Sequence, residues 1–172
     1  DLLMSWLDPL FELDEHLEDR RIRRGICLVS DTGWRAHPDY RAESALYSSL
    51  YGWFVGVDAR ARAMMGLGLF TCYGGASTHP LAQPALSILS KDDAQKSLAI
   101  GQALRLAQRL SGGTAQALSK TKLVQKKGHL KLAILKSDAP LNGEVVERRL
   151  KSLSTTLNLE GSVVIVNELE EI

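Results

Sequence analysis

Two cysteines, Cys27 and Cys72, are all this chain of 172 residues has. They sit far apart in apolar surroundings, too few for the disulfide framework of a small secreted fold and without nearby partners for a metal site. Buried, unlinked thiols are expected of them. No window approaches the length of a membrane span, and no basic start followed by an apolar centre opens the chain as a signal peptide would. A cytoplasmic protein with no membrane partner is the expectation. Internal repeats and low-complexity segments are also missing, and 45% hydrophobic with 24% charged residues is the composition of an ordinary globular protein. The first residue is Asp1 rather than Met, and Leu3, Trp6, Leu7 and Leu10 already follow helical spacing, which predicts a piece of something longer.

A net charge of +1 conceals a segregation of charge along the chain. Every formal charge from Asp1 to Asp19 is acidic, and so is every one from Glu160 to Ile172. Between them lie "RRIRR" at Arg20 to Arg24 and the lysine-rich stretch from Lys120 to Lys136. Such basic stretches point to an anionic partner.

Up to about Gly113 the pattern predicts helices almost throughout. One starts near Asp19, turns Ile22, Ile26 and Val29 inward and ends at "SDTGW", where Gly33 is expected at a positive φ. A short helix after Pro38 buries Ala42, Ala45 and Leu46. Asp58 is expected to cap a helix reaching Tyr73, and Ser90 with Asp93 makes a capping box for a helix that Gly112 and Gly113 stop. The period then changes. Leu130, Leu132 and Ile134 alternate as in a half-buried strand, "QKKGH" is a hairpin turn, and Asn142 is expected to cap a helix with a Val146, Leu150, Leu153 and Leu157 stripe. "SVVIV" from Ser162 to Val166 closes a small sheet. The fold class expected is α+β, with a mainly helical domain over 1–113 and a small β-β-α-β domain over 114–172.

The segment "VSDTGWRAHPDYRAES" from Val29 to Ser44 crowds an acid, a Trp, a His, a Pro and a Tyr behind an apolar run. Together with "RRIRRGICL", "FVGVDARARAMMGLGLFTCYGG" and "ALRLAQRLSGG", it resembles the C-terminal half of bacterial exopolyphosphatases, in the exopolyphosphatase and guanosine pentaphosphate phosphohydrolase family. The resemblance implies an HD-like helical domain followed by a small α/β domain. It further implies catalysis and Mg²⁺ binding in N-terminal actin-like domains outside these residues, with this half contributing polyphosphate binding and a homodimer interface. No catalytic residue and no cofactor is assigned to the chain itself.

Where HD hydrolases place adjacent His and Asp metal ligands, this sequence reads Ser30 and Asp31. A serine hydroxyl replaces imidazole poorly at a transition metal. Asp31 and His37 remain candidates for a hard cation such as Mg²⁺; otherwise Asp31 bonds amides of its own turn and His37 is a loop residue. Arg20 and Arg24 share a helix face with Arg23, Arg35 and Arg41 add charge nearby, and Arg105 and Arg109 lie one helical turn apart. Lys120 and Lys122 begin the hairpin, where lysines either guard a strand edge or meet a polyanion. These eight residues, Arg20, Arg24, Arg35, Arg41, Arg105, Arg109, Lys120 and Lys122, are the expected polyphosphate contacts. Metal-dependent phosphohydrolysis of HD type and binding of a nucleotide or RNA are the alternatives.

Overall fold

A computed structural model describes residues 2–11 and 15–171. Its elements, in chain order, are α1 (Leu2–Leu7), α2 (Leu17–Val29), α3 (Arg41–Leu50), α4 (Ala59–Cys72), α5 (Gln83–Leu86), α6 (Lys91–Ser111), α7 (Ala115–Leu118), β1 (Thr121–Lys126), β2 (His129–Leu135), α8 (Glu144–Thr156) and β3 (Glu160–Val166), joined by short 3-10 turns. The chain is α+β, 64% helical with a three-stranded sheet. Contacts divide it into two compact units, residues 16–105 in one and the described residues of 1–15 and 106–172 in the other. The first helix thus groups with the later residues, and α6 passes from one unit into the next.

In the helical unit the start signals work as the sequence suggests. Asp58 Oδ1 accepts the Ala61 N–H at 2.7 Å, and Ser90 Oγ accepts the Asp93 N–H at 3.1 Å. After Arg60 and Arg62 in its first turn, α4 is buried continuously from Ala63 to Cys72, which marks it as the central helix of its unit. Leu46 and Leu50 of α3, Leu67 and Phe70 of α4, and Ala82 and Ala85 form one core cluster against it. Each large apolar side chain so buried contributes roughly 1.5–3 kcal/mol. Close approach of α6 is possible because Gly101 has no side chain: a Cβ there would stand 2.3 Å from the Gly68 carbonyl oxygen.

In the second unit, β1 and β2 form an antiparallel hairpin with Leu123 opposite Leu132. Lys127 and Gly128 turn it with φ of 49° and 81°, the positive values a two-residue hairpin turn needs. α8 then carries the chain back so that β3 runs parallel to β2, with Leu132 beside Val163. Val146, Leu150 and Leu153 of α8 are buried, while Leu157 falls just past the helix end and is half-buried. Trp6 Nε1 donates to Thr121 Oγ1 at 3.0 Å, tying α1 to this sheet.

Two caps differ from expectation. Gly143, not Asn142, occupies the N-cap of α8; Asn142 lies one residue earlier and its Nδ2 donates to Glu147 Oε1 at 3.2 Å. Gly33 does not adopt a positive φ. It is glycine for want of space, because a Cβ would lie 2.5 Å from the Tyr73 ring. Cys72 is buried and Cys27 half-buried, both as thiols outside any disulfide. Among the described residues no helix is long and apolar enough to cross a membrane.

Candidate functional site

The corner from Ser30 to Arg41 is held by groups at its own ends and by one residue from far along the chain. As α2 runs out, Ser30 Oγ donates to the Cys27 carbonyl at 2.9 Å and Thr32 Oγ1 to the Val29 carbonyl at 2.8 Å. Tyr73, at the end of α4, donates its hydroxyl to the Ser30 carbonyl and accepts the Gly33 N–H at 3.1 Å. Burial is the main reason that the phenol is pushed up to about 12, with the neighbouring Cys72 adding to it. It therefore stays a protonated donor at neutral pH. Trp34 meets the Tyr73 ring edge-on at 6.1 Å, and the Arg41 guanidinium lies 4.3 Å above the Trp34 ring. Arg41 Nε also donates to the Ala36 carbonyl at 3.2 Å.

This geometry decides how the corner fits a metal. Ser30 is buried, and its hydroxyl and carbonyl are both engaged in the turn. Asp31 is exposed and makes no capping bond to the turn after it, so the expected bond to its own turn is absent. His37 Nδ1 accepts the Asp39 N–H at 3.4 Å. No group of three or more His, Cys, Asp or Glu converges among the described residues. The donor set does not fit a metal of HD type.

His37 follows a pattern that the sequence reading missed. His16 Nδ1 accepts the Glu18 N–H at 3.4 Å and His79 Nδ1 the Leu81 N–H at 3.2 Å, so three histidines stand at helix or turn starts in the place usually taken by Ser or Asp. The signal was present as histidine ahead of a turn start, including His37–Pro38 and His79–Pro80.

The expected phosphate contacts fall in both units. Arg20 and Arg24 are exposed on α2, and Arg35 is exposed in the turn that follows. Arg23 does not join them, since only 2% of it is exposed and it is part of the core. Arg41 is half-buried against Trp34. Arg105 lies against Gly74, just past the end of α4, close enough that a Cβ there would stand 3.0 Å from its Nη2. A cation there suits the negative end of the helix. Arg109 is exposed one turn further along α6, in the other unit. Lys120 and Lys122 are half-buried on the hairpin, and Lys122 Nζ donates to the Leu169 carbonyl at 3.2 Å.

Beside Arg24 a cavity of about 460 Å³ opens between α2 and α4. Ile22, Leu28, Phe54 and Met65 give it apolar walls, and Arg21, whose Nη2 donates to the Gly56 carbonyl at 3.2 Å, stands with Arg24, Glu18 and Asp58 in its lining. Leu28, Trp53 and Val55 are strongly exposed, Trp53 to 94%.

The densest charge coupling lies elsewhere. Arg60 on α4 bridges Asp93 on α6 and Asp19 on α2, the latter at 2.8 Å, and Lys96 reaches Asp19 at 3.0 Å and Asp92 at 2.8 Å. Hydrogen bonding to Arg60 holds the Asp93 carboxyl below its ordinary value. Burial pushes the Asp19 carboxyl upward, but hydrogen bonds from Arg60 and Lys96 together outweigh it and leave the group lowered. Bonding to Asp93 raises Arg60, and bonding to Asp92 raises Lys96. The cations come from the chain itself, and the cluster joins three helices.

No curated protein matches the chain. A family model described as "Exopolyphosphatase, C-terminal" matches residues 6–164, which spans both units. By that match the chain belongs to the exopolyphosphatase C-terminal family.

Proposed function

We propose that this C-terminal region of an exopolyphosphatase holds the polyphosphate chain on its exposed arginines and takes part in a homodimer, while hydrolysis and Mg²⁺ binding belong to N-terminal actin-like domains of a cytoplasmic enzyme. In this reading residues 1–113 are the HD-like part and 114–172 the appended α/β part, divided by order along the chain rather than by contact. The observation that carries it is the pair of exposed guanidinium groups on one face of α2, Arg20 and Arg24, in a chain of this family. Guanidinium forks suit phosphate oxygens bidentately. Affinity for additional phosphates would favour long chains without altering the chemical step. Trp53, Leu28 and Val55 support a protein contact, since an exposed apolar patch next to a cavity is typical of an interface.

The test is a calorimetric titration of the chain with polyphosphate of defined length at two salt concentrations, with metal content and phosphate release followed on the same sample. Binding that weakens with salt and falls in Arg20→Ala with Arg24→Ala supports the reading. Unchanged affinity in that double variant removes α2 from the site; the same comparison for Arg105→Ala with Arg109→Ala separates the α6 arginines. Bound metal with released phosphate favours an HD-type hydrolase, and displacement by RNA or a guanosine nucleotide at equal phosphate concentration favours a nucleotide-binding module.

A further inference from the structure

The two edges of the sheet are unlike. β1 carries Lys122 and Lys126, with Lys120 just ahead, and lysines on an edge strand discourage pairing with another chain. β3 reads Glu-Gly-Ser-Val-Val-Ile-Val and has neither lysine nor proline. Its orientation follows from one bond: the Glu160 N–H donates to the Gly128 carbonyl, toward the β2 side. Backbone groups alternate in direction along a strand, so Gly161, Val163 and Ile165 point theirs outward. Among the described residues, these three make no backbone hydrogen bond beyond the sheet. An edge of this kind is a template for a further strand.

Beside the edge lies a groove of about 620 Å³ between α8 and the start of β3. Glu147, Leu150 and Ser154 line its helix side, and Glu160, Gly161 and Val163 its strand side. Gly161 keeps it narrow, because a Cβ there would lie 2.7 Å from Ser154 Oγ. A helix running along an open strand edge is the arrangement in which strand addition gains side-chain specificity as well as main-chain bonds. Charge selects the occupant. Glu147 and Glu160 line the groove and Glu168 and Glu170 are exposed just beyond the strand, against Lys151 as the basic lining residue.

We propose that the β3 edge beside α8 is a strand-addition site for an extended segment of a partner protein, with apolar alternate residues and lysine or arginine at its ends. Main-chain bonds to Gly161, Val163 and Ile165 hold the segment, and the flanking carboxylates fix its register. This stands apart from any phosphate-binding role, since it uses the acidic part of the chain.

The probe is a fluorescein-labelled peptide, Lys-Val-Thr-Val-Thr-Val-Lys, titrated against the 172-residue chain by anisotropy. Saturable binding is expected, weakened about tenfold by Ile165→Pro and by methylating alternate backbone nitrogens of the peptide, each of which removes main-chain bonds. Replacing its lysines by glutamates should weaken it further. Should Ile165→Pro fail to fold by circular dichroism, the methylated peptide still decides. The proposal is overturned by absence of binding, by equal affinity for the methylated peptide, or by sedimentation of a dimer that Ile165→Pro converts to monomer, since a second copy of the chain then already pairs on this edge.

Discussion

Two polar regions of the helical unit are built on opposite principles. The corner from Ser30 to Arg41 is rich in charged and aromatic residues, yet its shape rests mainly on backbone groups and on the hydroxyls of Ser30, Thr32 and Tyr73. The cluster of Asp19, Arg60, Asp93 and Lys96 draws single residues from three helices and rests on charge. Density of polar residues in a segment therefore does not locate electrostatic coupling; convergence in space does. The corner should be sensitive to changes of shape, and the cluster to the loss of a charge and to acid.

Removing the centre of the cluster offers the largest effect. Arg60→Ala leaves Asp19 and Asp93, whose side chains are 12% exposed, short of their main partner. A loss of roughly 2 to 3 kcal/mol is expected in urea unfolding, at the low end for a buried pair because Arg60 itself is 34% exposed. The pH dependence carries its own sign. Both carboxyls are lowered in the folded chain, so their stabilisation is complete above the unfolded value of about 3.9 and disappears as pH falls through the lower folded values. Unfolding free energy should fall below about pH 4 in the parent chain and less steeply in Arg60→Ala. Parallel acid profiles would break the contrast between the regions.

Gly33→Ala comes next, at about 2 kcal/mol, since a methyl group must displace the Tyr73 ring. Its cost should shrink when combined with Tyr73→Ala, a non-additivity that thermal unfolding of the two single variants and the double variant would reveal. Tyr73→Phe keeps the ring and loses two hydrogen bonds, and should cost about 1 to 2 kcal/mol with no change in the profile between pH 5 and 9. Smallest is Arg41→Ala, at about 0.5 to 1 kcal/mol, because the stacked pair with Trp34 is partly open to water. A shift in acid stability from any of these corner variants would mean that the two regions are coupled.

Much of the fold was legible because local rules agreed with the tertiary outcome. Asp58 and Ser90 cap where a short polar side chain ahead of a helix says they should, and the alternation through Leu130, Leu132 and Ile134 marks a strand, although Ala133 between them is buried on the opposite face as well. Gly33 shows where such rules stop: its reason for being glycine is a ring forty residues away, and no local pattern encodes that distance. Arg23 is similar, since four arginines in five residues look alike until packing buries one of them. The candidate site was legible as composition, in the basic stretches and the crowded corner. Spacing along α2 did pair Arg20 with Arg24, but their exposure and the engagement of Arg41 and Lys122 depend on neighbours brought in by folding.

α4 has no face turned to water from Ala63 to Cys72, and that sets the order in which this unit can come apart. A helix with a solvent side can fray while its neighbours hold, whereas one enclosed on all sides exchanges its amide hydrogens only when the surrounding helices have parted. The amides of Leu67 to Phe70 should accordingly be the last of the helical unit to pick up deuterium, and their exchange rate would serve as an internal clock for its complete opening.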